Sequence, residues 1–227
     1  MRQVSHWMQA IALSLLLLVE AHAGQFVNLS VNGIGTLQTY VHIEPHTFDS
    51  RRVVLAFPPG AQHRGSVEFG LATWLSNLRD AGWTVISPAA PDKRLFVGPN
   101  LVWVPHLLEA MRKTYSIQFE RVSVFGISNG GISALEAAAR YPHLFHNVTV
   151  APGLLLTDSR ACKLSGVAVS LIVGEHDALW RDGAQTLAQQ LDACGVEATL
   201  DVIPNGDHFA FQRIPFEMLR DKFLRRQ

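Results

Sequence analysis

Three side chains that could together perform nucleophilic catalysis follow separate apolar segments of the chain. The first is Ser128, in the G-x-S-x-G pattern Gly126-Ile127-Ser128-Asn129-Gly130, which lies between a β-branched segment and an alanine-rich one. Strand, sharp turn and helix in that order expose a serine hydroxyl at the end of a strand. The pattern therefore predicts a nucleophilic serine, and the alternative is an ordinary strand-to-helix turn with a capping serine.

An acidic residue and a histidine follow two later strand-like segments in the same way. Asp177 comes shortly after an apolar run, and His208 lies in a polar turn after residues 199–203. A neutral histidine can take the proton of the serine, and a carboxylate can hold the imidazole in the required tautomer. Glu175 and Asp182 are close to Asp177 in the sequence and remain alternatives for the acid.

Strand-like and helix-like patterns alternate along the chain. The continuous apolar runs Val53–Phe57 and 167–174 are typical of strands that are covered on both faces. The dipeptide Asn32-Gly33 favours a hairpin before them, and a helix is expected over about 183–193. The alternation predicts an α/β fold with a mainly parallel sheet, an N-terminal antiparallel hairpin and helices on both faces. Reactive groups in such a sheet gather at the carboxyl ends of the strands.

The order of serine, acid and histidine, each after a strand, resembles the α/β-hydrolase superfamily. The resemblance rests on Ser128, Asp177 and His208 and extends over nearly all of the chain after residue 23. It implies the α/β-hydrolase fold, with Asp177 at the position of the acid. Only residues 152–166 join two predicted strands, which is too short for the helical cap domain of many members. The expected lidless form is similar to feruloyl esterases, poly(hydroxyalkanoate) depolymerase-like proteins and small carboxylesterases.

Acyl transfer also requires donors for the oxyanion that forms on the substrate. One is expected to be the backbone N–H of Asn129, next to the serine. The resemblance to the His-Gly-x loop of the superfamily implies the N–H of Ala61, in loop 58–62, as the second. Pro59 stands where a histidine is often found, and Gln62 remains an alternative donor.

Aromatic residues near the predicted strand ends could form an apolar substrate pocket. The sequence places Trp103, Trp180 and Phe209 in such positions. Ordinary burial in the core is the alternative for each of them.

The composition limits the partners of the protein. The 227 residues carry 19 basic and 19 acidic side chains, so neither nucleic acid nor an anionic membrane surface is favoured.

His42, Glu44 and His46 have the spacing of metal ligands, but they precede or flank a proline turn, which favours an exposed polar segment. No metal and no cofactor is expected. The expected partner is an ester substrate, either small or carried on a polymer.

The first residues are typical of an export signal. Arg2 precedes an apolar run over 10–19, and Ala-His-Ala at 21–23 fits a small-x-small cleavage site. This predicts a signal peptide over 1–23 and a single mature domain over 24–227. A membrane anchor is the alternative, but the apolar run is short for a membrane span.

Cys162 and Cys194 are the only two cysteines of the chain. Both are expected at the amino-terminal edge of the parallel strands, where a disulfide is sterically reasonable. One disulfide suits an oxidising compartment, and two unpaired thiols are the alternative.

The sequence therefore predicts a secreted or periplasmic serine hydrolase that cleaves carboxylic esters through an acyl-enzyme on Ser128. A peptidase of the prolyl-oligopeptidase kind shares the order of the triad, and a thioesterase is a further alternative. A non-catalytic binding protein on a hydrolase fold is the alternative from another class of function.

Overall fold

An eight-stranded sheet forms the centre of the protein. The computed structural model describes residues 24–44, 48–91 and 94–225. The predicted signal peptide, residues 1–23, lies outside the described residues. The strands are β1 (Gln25–Val31), β2 (Gly35–His42), β3 (Val53–Phe57), β4 (Thr84–Pro88), β5 (Val122–Gly126), β6 (Phe145–Val150), β7 (Ala168–Gly174) and β8 (Ala198–Ile203). The α-helices are α1 (Arg64–Gly70), α2 (Ser76–Asp80), α3 (Trp103–Tyr115), α4 (Asn129–Arg140), α5 (Ala178–Ala193) and α6 (Phe216–Phe223), with a π-helical turn (Leu71–Leu75) between α1 and α2.

The sheet is parallel apart from the hairpin at one edge. The strand order is β1-β2-β4-β3-β5-β6-β7-β8, in which β2 pairs antiparallel with both β1 and β4. The other neighbours pair in parallel. The hairpin turns at Asn32 and Gly33, and the φ of 78° at Gly33 explains the glycine. This architecture confirms the predicted α/β sheet with its N-terminal antiparallel hairpin.

The strands β3, β4, β5 and β7 are buried on both faces, as the continuous apolar runs predict. In β3, Val53, Leu55 and Phe57 belong to one hydrophobic core, which is covered by α3, α4 and α5. Val54 and Ala56 belong to a second core, which is covered by α1, α2 and α6.

No helix within the described residues has the length and hydropathy needed to cross a membrane.

Helix α5 begins earlier than the sequence predicts. It starts at Ala178, where the N–H of Arg181 donates to the carbonyl of Asp177 at 2.8 Å. Gly183, which the sequence suggested as the start, lies inside the helix instead. A Cβ at this position would come within 2.7 Å of Leu154, so the glycine allows close packing between α5 and the connection from β6 to β7.

The connection from β6 to β7 is short and is fastened to α4. It contains the 3₁₀ helix Asp158–Leu164, and no cap domain is inserted there. Glu136 of α4 is fully buried, and its Oε1 accepts the N–H of Leu156 at 2.9 Å. Arg160 forms an ion pair with the same carboxylate. These contacts hold the connection against the helix that follows Ser128.

Cys162 and Cys194 form a disulfide, with their Cα atoms 5.0 Å apart. Cys162 lies in the 3₁₀ helix before β7, and Cys194 follows the last residue of α5. Because Cys162 precedes β7 and Cys194 precedes β8, the bond lies at the amino-terminal ends of the parallel strands, whereas Ser128 lies at the carboxyl end of β5. The predicted pairing is therefore confirmed.

Candidate active site

Ser128 lies on a sharp turn between β5 and α4, which we call the elbow. Its φ of 56° and ψ of −121° are outside the regions that non-glycine residues prefer. The N–H of Ser128 donates to the carbonyl of Pro152 at 2.8 Å, and the N–H of Ile132 donates to the carbonyl of Ser128 at 3.1 Å. Main-chain hydrogen bonds on both sides therefore hold the strained residue, with its side chain at the carboxyl end of β5.

The two glycines of the pattern are required by close backbone approaches. A Cβ on Gly126 would lie 2.0 Å from the carbonyl oxygen of Gly130. A Cβ on Gly130 would lie 2.2 Å from the carbonyl oxygen of Phe57, at the end of β3. The absence of both side chains lets strand, turn and helix pack around Ser128.

The structure brings Ser128, His208 and Asp177 into one hydrogen-bonded chain. The Ser128 Oγ lies 3.0 Å from Nε2 of His208, and Nδ1 of His208 lies 2.7 Å from Oδ2 of Asp177. An ionised carboxylate can only accept, so Nδ1 carries the proton and Nε2 is free to accept from the serine hydroxyl. The side chain of Asp177 is 12% exposed and that of His208 is 33% exposed. This is the arrangement needed to activate the serine as a nucleophile.

Contacts between two loops set the distance between the acid and the histidine. The N–H of Glu175, after β7, donates to the carbonyl of Ile203 at 3.0 Å, and the N–H of His176 donates to that of Gly206 at 2.6 Å. A Cβ on Gly174 would lie 2.3 Å from the Asp207 carbonyl oxygen, so a glycine is needed at the end of β7. The two strand ends therefore fix the loops that carry Asp177 and His208.

The two alternative acids have other partners. Oε2 of Glu175 accepts the N–H of Asn205 at 2.7 Å, and the carboxylate of Asp182 accepts from Arg181 at 2.8 Å. Of the three neighbouring carboxylates, Asp177 is the one that contacts the histidine.

The loop after β3 lies beside the start of α4, as expected for an oxyanion site. Nδ2 of Asn129 donates to the Gly60 carbonyl at 3.1 Å. The backbone N–H of Asn129 opens α4, where the first N–H groups have no acceptor within the helix. The N–H of Gln62 is directed at the Pro59 carbonyl at 3.4 Å, which leaves the N–H of Ala61 as the better candidate for the second donor.

An open cleft of about 390 Å³ adjoins Ser128 and His208. Its walls are the loop after β3, the first two turns of α1 and the residues that follow His208. Phe69 and Phe209 line it and are 40% and 57% exposed. Among the described residues that line the cleft, none is Asp, Glu, Lys or Arg. The wall formed by α1, including Phe69, was not predicted, because the sequence gives no sign that this helix faces the serine.

The predicted aromatic residues occupy different places. The rings of Trp180 and Phe209 lie 5.4 Å and 5.8 Å from that of His208, measured between centroids. Trp103 packs near the β1–β2 hairpin, with its ring 3.4 Å from the position of a Cβ on Gly35. Of the three, Phe209 lines the cleft, whereas Trp103 and Trp180 do not.

The segment with His42, Glu44 and His46, which was expected to be exposed and polar, is only partly described. His42 is buried in β2, so the expectation is wrong at this residue, because the strand continues into the sheet as far as His42. His46 lies outside the described residues. Within residues 24–44, 48–91 and 94–225, no three His, Cys, Asp or Glu side chains are grouped to hold a metal ion.

Comparisons with known proteins agree with this architecture. The Esterase family model matches residues 103–193, which include Ser128 and Asp177 and end before His208. No curated protein matches the sequence.

Solved structures share the fold at low sequence identity. A dienelactone hydrolase of Anabaena variabilis superposes with a TM-score of 0.71 at 21% identity, over 89% of this chain and 98% of that one. A carboxylesterase of Nitrososphaera gargenis gives a TM-score of 0.57 at 14% identity, over 87% and 96% of the two chains. Dipeptidyl peptidase 4 of Porphyromonas gingivalis gives 0.66 at 14% identity, over 88% of this chain and 35% of that one.

Sheet order, elbow and structural neighbours together define an α/β-hydrolase fold. The predicted resemblance to that superfamily is confirmed at the level of the fold.

Proposed function

We propose that the protein is a serine hydrolase that cleaves carboxylic esters through an acyl-enzyme on Ser128. The observation that supports this most directly is the hydrogen-bonded chain from Ser128 through His208 to Asp177, beside an open cleft. The match to an esterase family and the esterases and hydrolases among the structural neighbours agree with it.

In the proposed reaction, His208 accepts the proton of Ser128 through Nε2 while Oγ attacks the ester carbonyl carbon. Asp177 accepts the Nδ1–H of His208 and stabilises the imidazolium that forms. The N–H groups of Asn129 and Ala61 bind the oxyanion. His208 then protonates the leaving alcohol, and the acyl-enzyme remains. Water, activated by the same histidine, releases the acid.

The cleft supports a substrate with an uncharged, apolar group next to the ester. Its exposed side chains Phe69 and Phe209 can cover such a group, and none of its lining residues in the described part of the chain is Asp, Glu, Lys or Arg. Contact with the two phenylalanines would cost an ionised group hydration, which is unfavourable. Because the cleft is open, it can admit an ester of a small alcohol or an ester carried on a polymer.

Labelling with a fluorophosphonate probe tests the nucleophile. We expect Ser128→Ala to remove labelling and to lower kcat with p-nitrophenyl butyrate by about 10⁵–10⁶. Ser165→Ala, at an exposed turn, is the matched control and should label normally. Labelling that persists in a folded Ser128→Ala variant would place the nucleophile elsewhere.

A substrate panel tests the class of bond that is cleaved. We expect p-nitrophenyl esters to be cleaved faster than a matched thioester and an aminoacyl p-nitroanilide. A faster anilide or thioester would favour the peptidase or thioesterase alternative. Normal folding with no turnover and no labelling would favour the non-catalytic binding protein.

The disulfide supports a secreted or periplasmic location, because such bonds persist in oxidising compartments. In this proposal residues 1–23 direct export, and the partner of the mature chain is its ester substrate, without nucleic acid. Blocking export should leave Cys162 and Cys194 reduced, which mass spectrometry of alkylated protein would detect.

A further inference from the structure

The buried side chain of Gln62 joins three segments around the cleft. Gln62 is fully buried. Its Nε2 donates to Oγ of Ser133 at 2.9 Å, and its Oε1 accepts the N–H of Phe96 at 3.1 Å. Ser133 lies in α4, one turn beyond the elbow, and Phe96 lies in the connection after β4. The amide therefore links the loop after β3 to two neighbouring elements.

The backbone of Gln62 is also held in an unusual conformation. Its φ of 56° is in the left-handed region, which glycine adopts readily and other residues adopt at a cost. Its carbonyl accepts the N–H of Ala90 at 2.7 Å. A buried amide with both ends hydrogen-bonded is rigid, and these contacts offset the backbone strain.

The position of Ala61 is thus fixed from both sides. On one side, the carbonyl of Gly60 accepts from Nδ2 of Asn129, and this carbonyl belongs to the same peptide group as the N–H of Ala61. On the other side, Ala61 is bonded to Gln62, whose side chain and carbonyl are held by other segments. The side chain of Gln62 is fully buried and does not line the cleft, so its effect on the reaction would act through the loop that it holds, which carries the N–H of Ala61.

We infer that Gln62 is a positioning residue, which holds the N–H of Ala61 where the oxyanion forms. The inference rests on the proposed function, in which this N–H is an oxyanion donor. An oxyanion donor acts mainly in the transition state, so its displacement lowers kcat more than it raises KM. A side chain that only stabilised the fold would lower the melting temperature without this selective loss of kcat.

The test replaces Gln62 with methionine, which has a similar length but forms neither hydrogen bond. We expect kcat for p-nitrophenyl butyrate to fall about 10- to 100-fold, less than the loss of a whole donor, while KM changes by less than about threefold. Amide exchange of residues 60–62, followed by mass spectrometry, should become faster, because the loop is no longer held.

Asn147→Leu is the matched control for stability. Asn147 is also buried, and its Nδ2 donates to the carbonyls of Phe223 and Arg225 at 2.7 Å and 3.0 Å, away from the cleft. This variant also loses two buried hydrogen bonds, so its melting temperature should fall as in Gln62→Met, while its kcat stays within about twofold of the wild type.

Ser133→Ala keeps the test decisive if Gln62→Met fails to fold. It removes one partner of the amide and leaves the other, so kcat should fall about three- to tenfold, with little change in KM. The inference is refuted if kcat is normal in a folded Gln62→Met variant or, where that variant does not fold, in Ser133→Ala. An equal loss of kcat in Asn147→Leu would also refute it. These results require an active wild type, whereas a wild type inert to both ester and fluorophosphonate would refute the proposed function itself.

Discussion

Replacing Gly130 with alanine tests whether the loop after β3 must lie against the start of α4. The new Cβ would lie 2.2 Å from the carbonyl oxygen of Phe57 and 2.6 Å from that of Pro58. Reaching even about 3.0 Å requires a shift of about 3.0 − 2.2 = 0.8 Å. Both neighbours are backbone atoms, so the start of the loop must move, because no side chain can rotate away.

This shift has a calculable effect on the proposed reaction. The loop that begins at Pro58 carries the N–H of Ala61, so the donor moves with it. A misplacement of about 1 Å typically costs about 10²-fold in rate, and overpacking typically costs about 1–3 kcal/mol of stability. We therefore expect Gly130→Ala to lower kcat about 100-fold while the protein still folds.

The assay is steady-state hydrolysis of p-nitrophenyl butyrate, with folding checked by circular dichroism. Gly70→Ala is the control, because Gly70 is also a buried helical glycine and its nearest neighbours, at 3.3 Å, are side-chain atoms of Leu75 and Trp74. Its kcat should stay within about twofold of the wild type. A folded Gly130→Ala variant with kcat within about threefold of the wild type would refute the reasoning, because the loop would not need its present position.

Three further predictions concern the proposed triad and the disulfide. Asp177→Asn should lower kcat about 10⁴-fold, because Asp177 contacts His208. Glu175→Gln should lower kcat less than about tenfold, because the Glu175 carboxylate accepts a backbone N–H instead. The reverse order in a rate assay would make Glu175 the acid. His208→Ala should lower kcat about 10⁴–10⁶-fold, and a near-normal rate would exclude it as the base. Replacing both Cys162 and Cys194 with serine should cost about 3–4 kcal/mol, or about 10 °C in Tm, with normal kcat; an unchanged calorimetric Tm would contradict the entropic argument.

The sheet could be predicted because its strands carry their own signal. A strand covered on both faces must be apolar throughout, and Val53–Phe57 is buried at every position. The elbow could also be predicted from the sequence. The backbone approaches at Gly126 and Gly130 leave no room for a side chain, so the turn requires the two glycines of the pattern. The meeting of Ser128 with His208, and of His208 with Asp177, followed from the rule that reactive groups gather at the carboxyl ends of parallel strands.

Features that depend on contacts between distant segments could not be predicted. Gly183 looked like a helix boundary, but the packing of Leu154 explains it, and that contact joins residues far apart in the sequence. Phe69 gave no sign that it faces the cleft, because a half-exposed phenylalanine has the same local pattern on any helix. The resemblance to the superfamily placed the acid at Asp177, but the residues alone left Glu175 open, and their different hydrogen-bond partners are visible only in the structure.

In the proposed function, the positive φ of Ser128 is a cost in stability that the protein cannot remove without losing its nucleophile. A residue with a side chain in such a conformation costs about 1–3 kcal/mol, a considerable part of the 5–15 kcal/mol that typically separates folded from unfolded chains. Glycine would remove the strain and the hydroxyl together. Evolution or engineering toward a more stable form must therefore work on other parts of the molecule, since a residue that carries this strain is one that the proposed reaction has to keep.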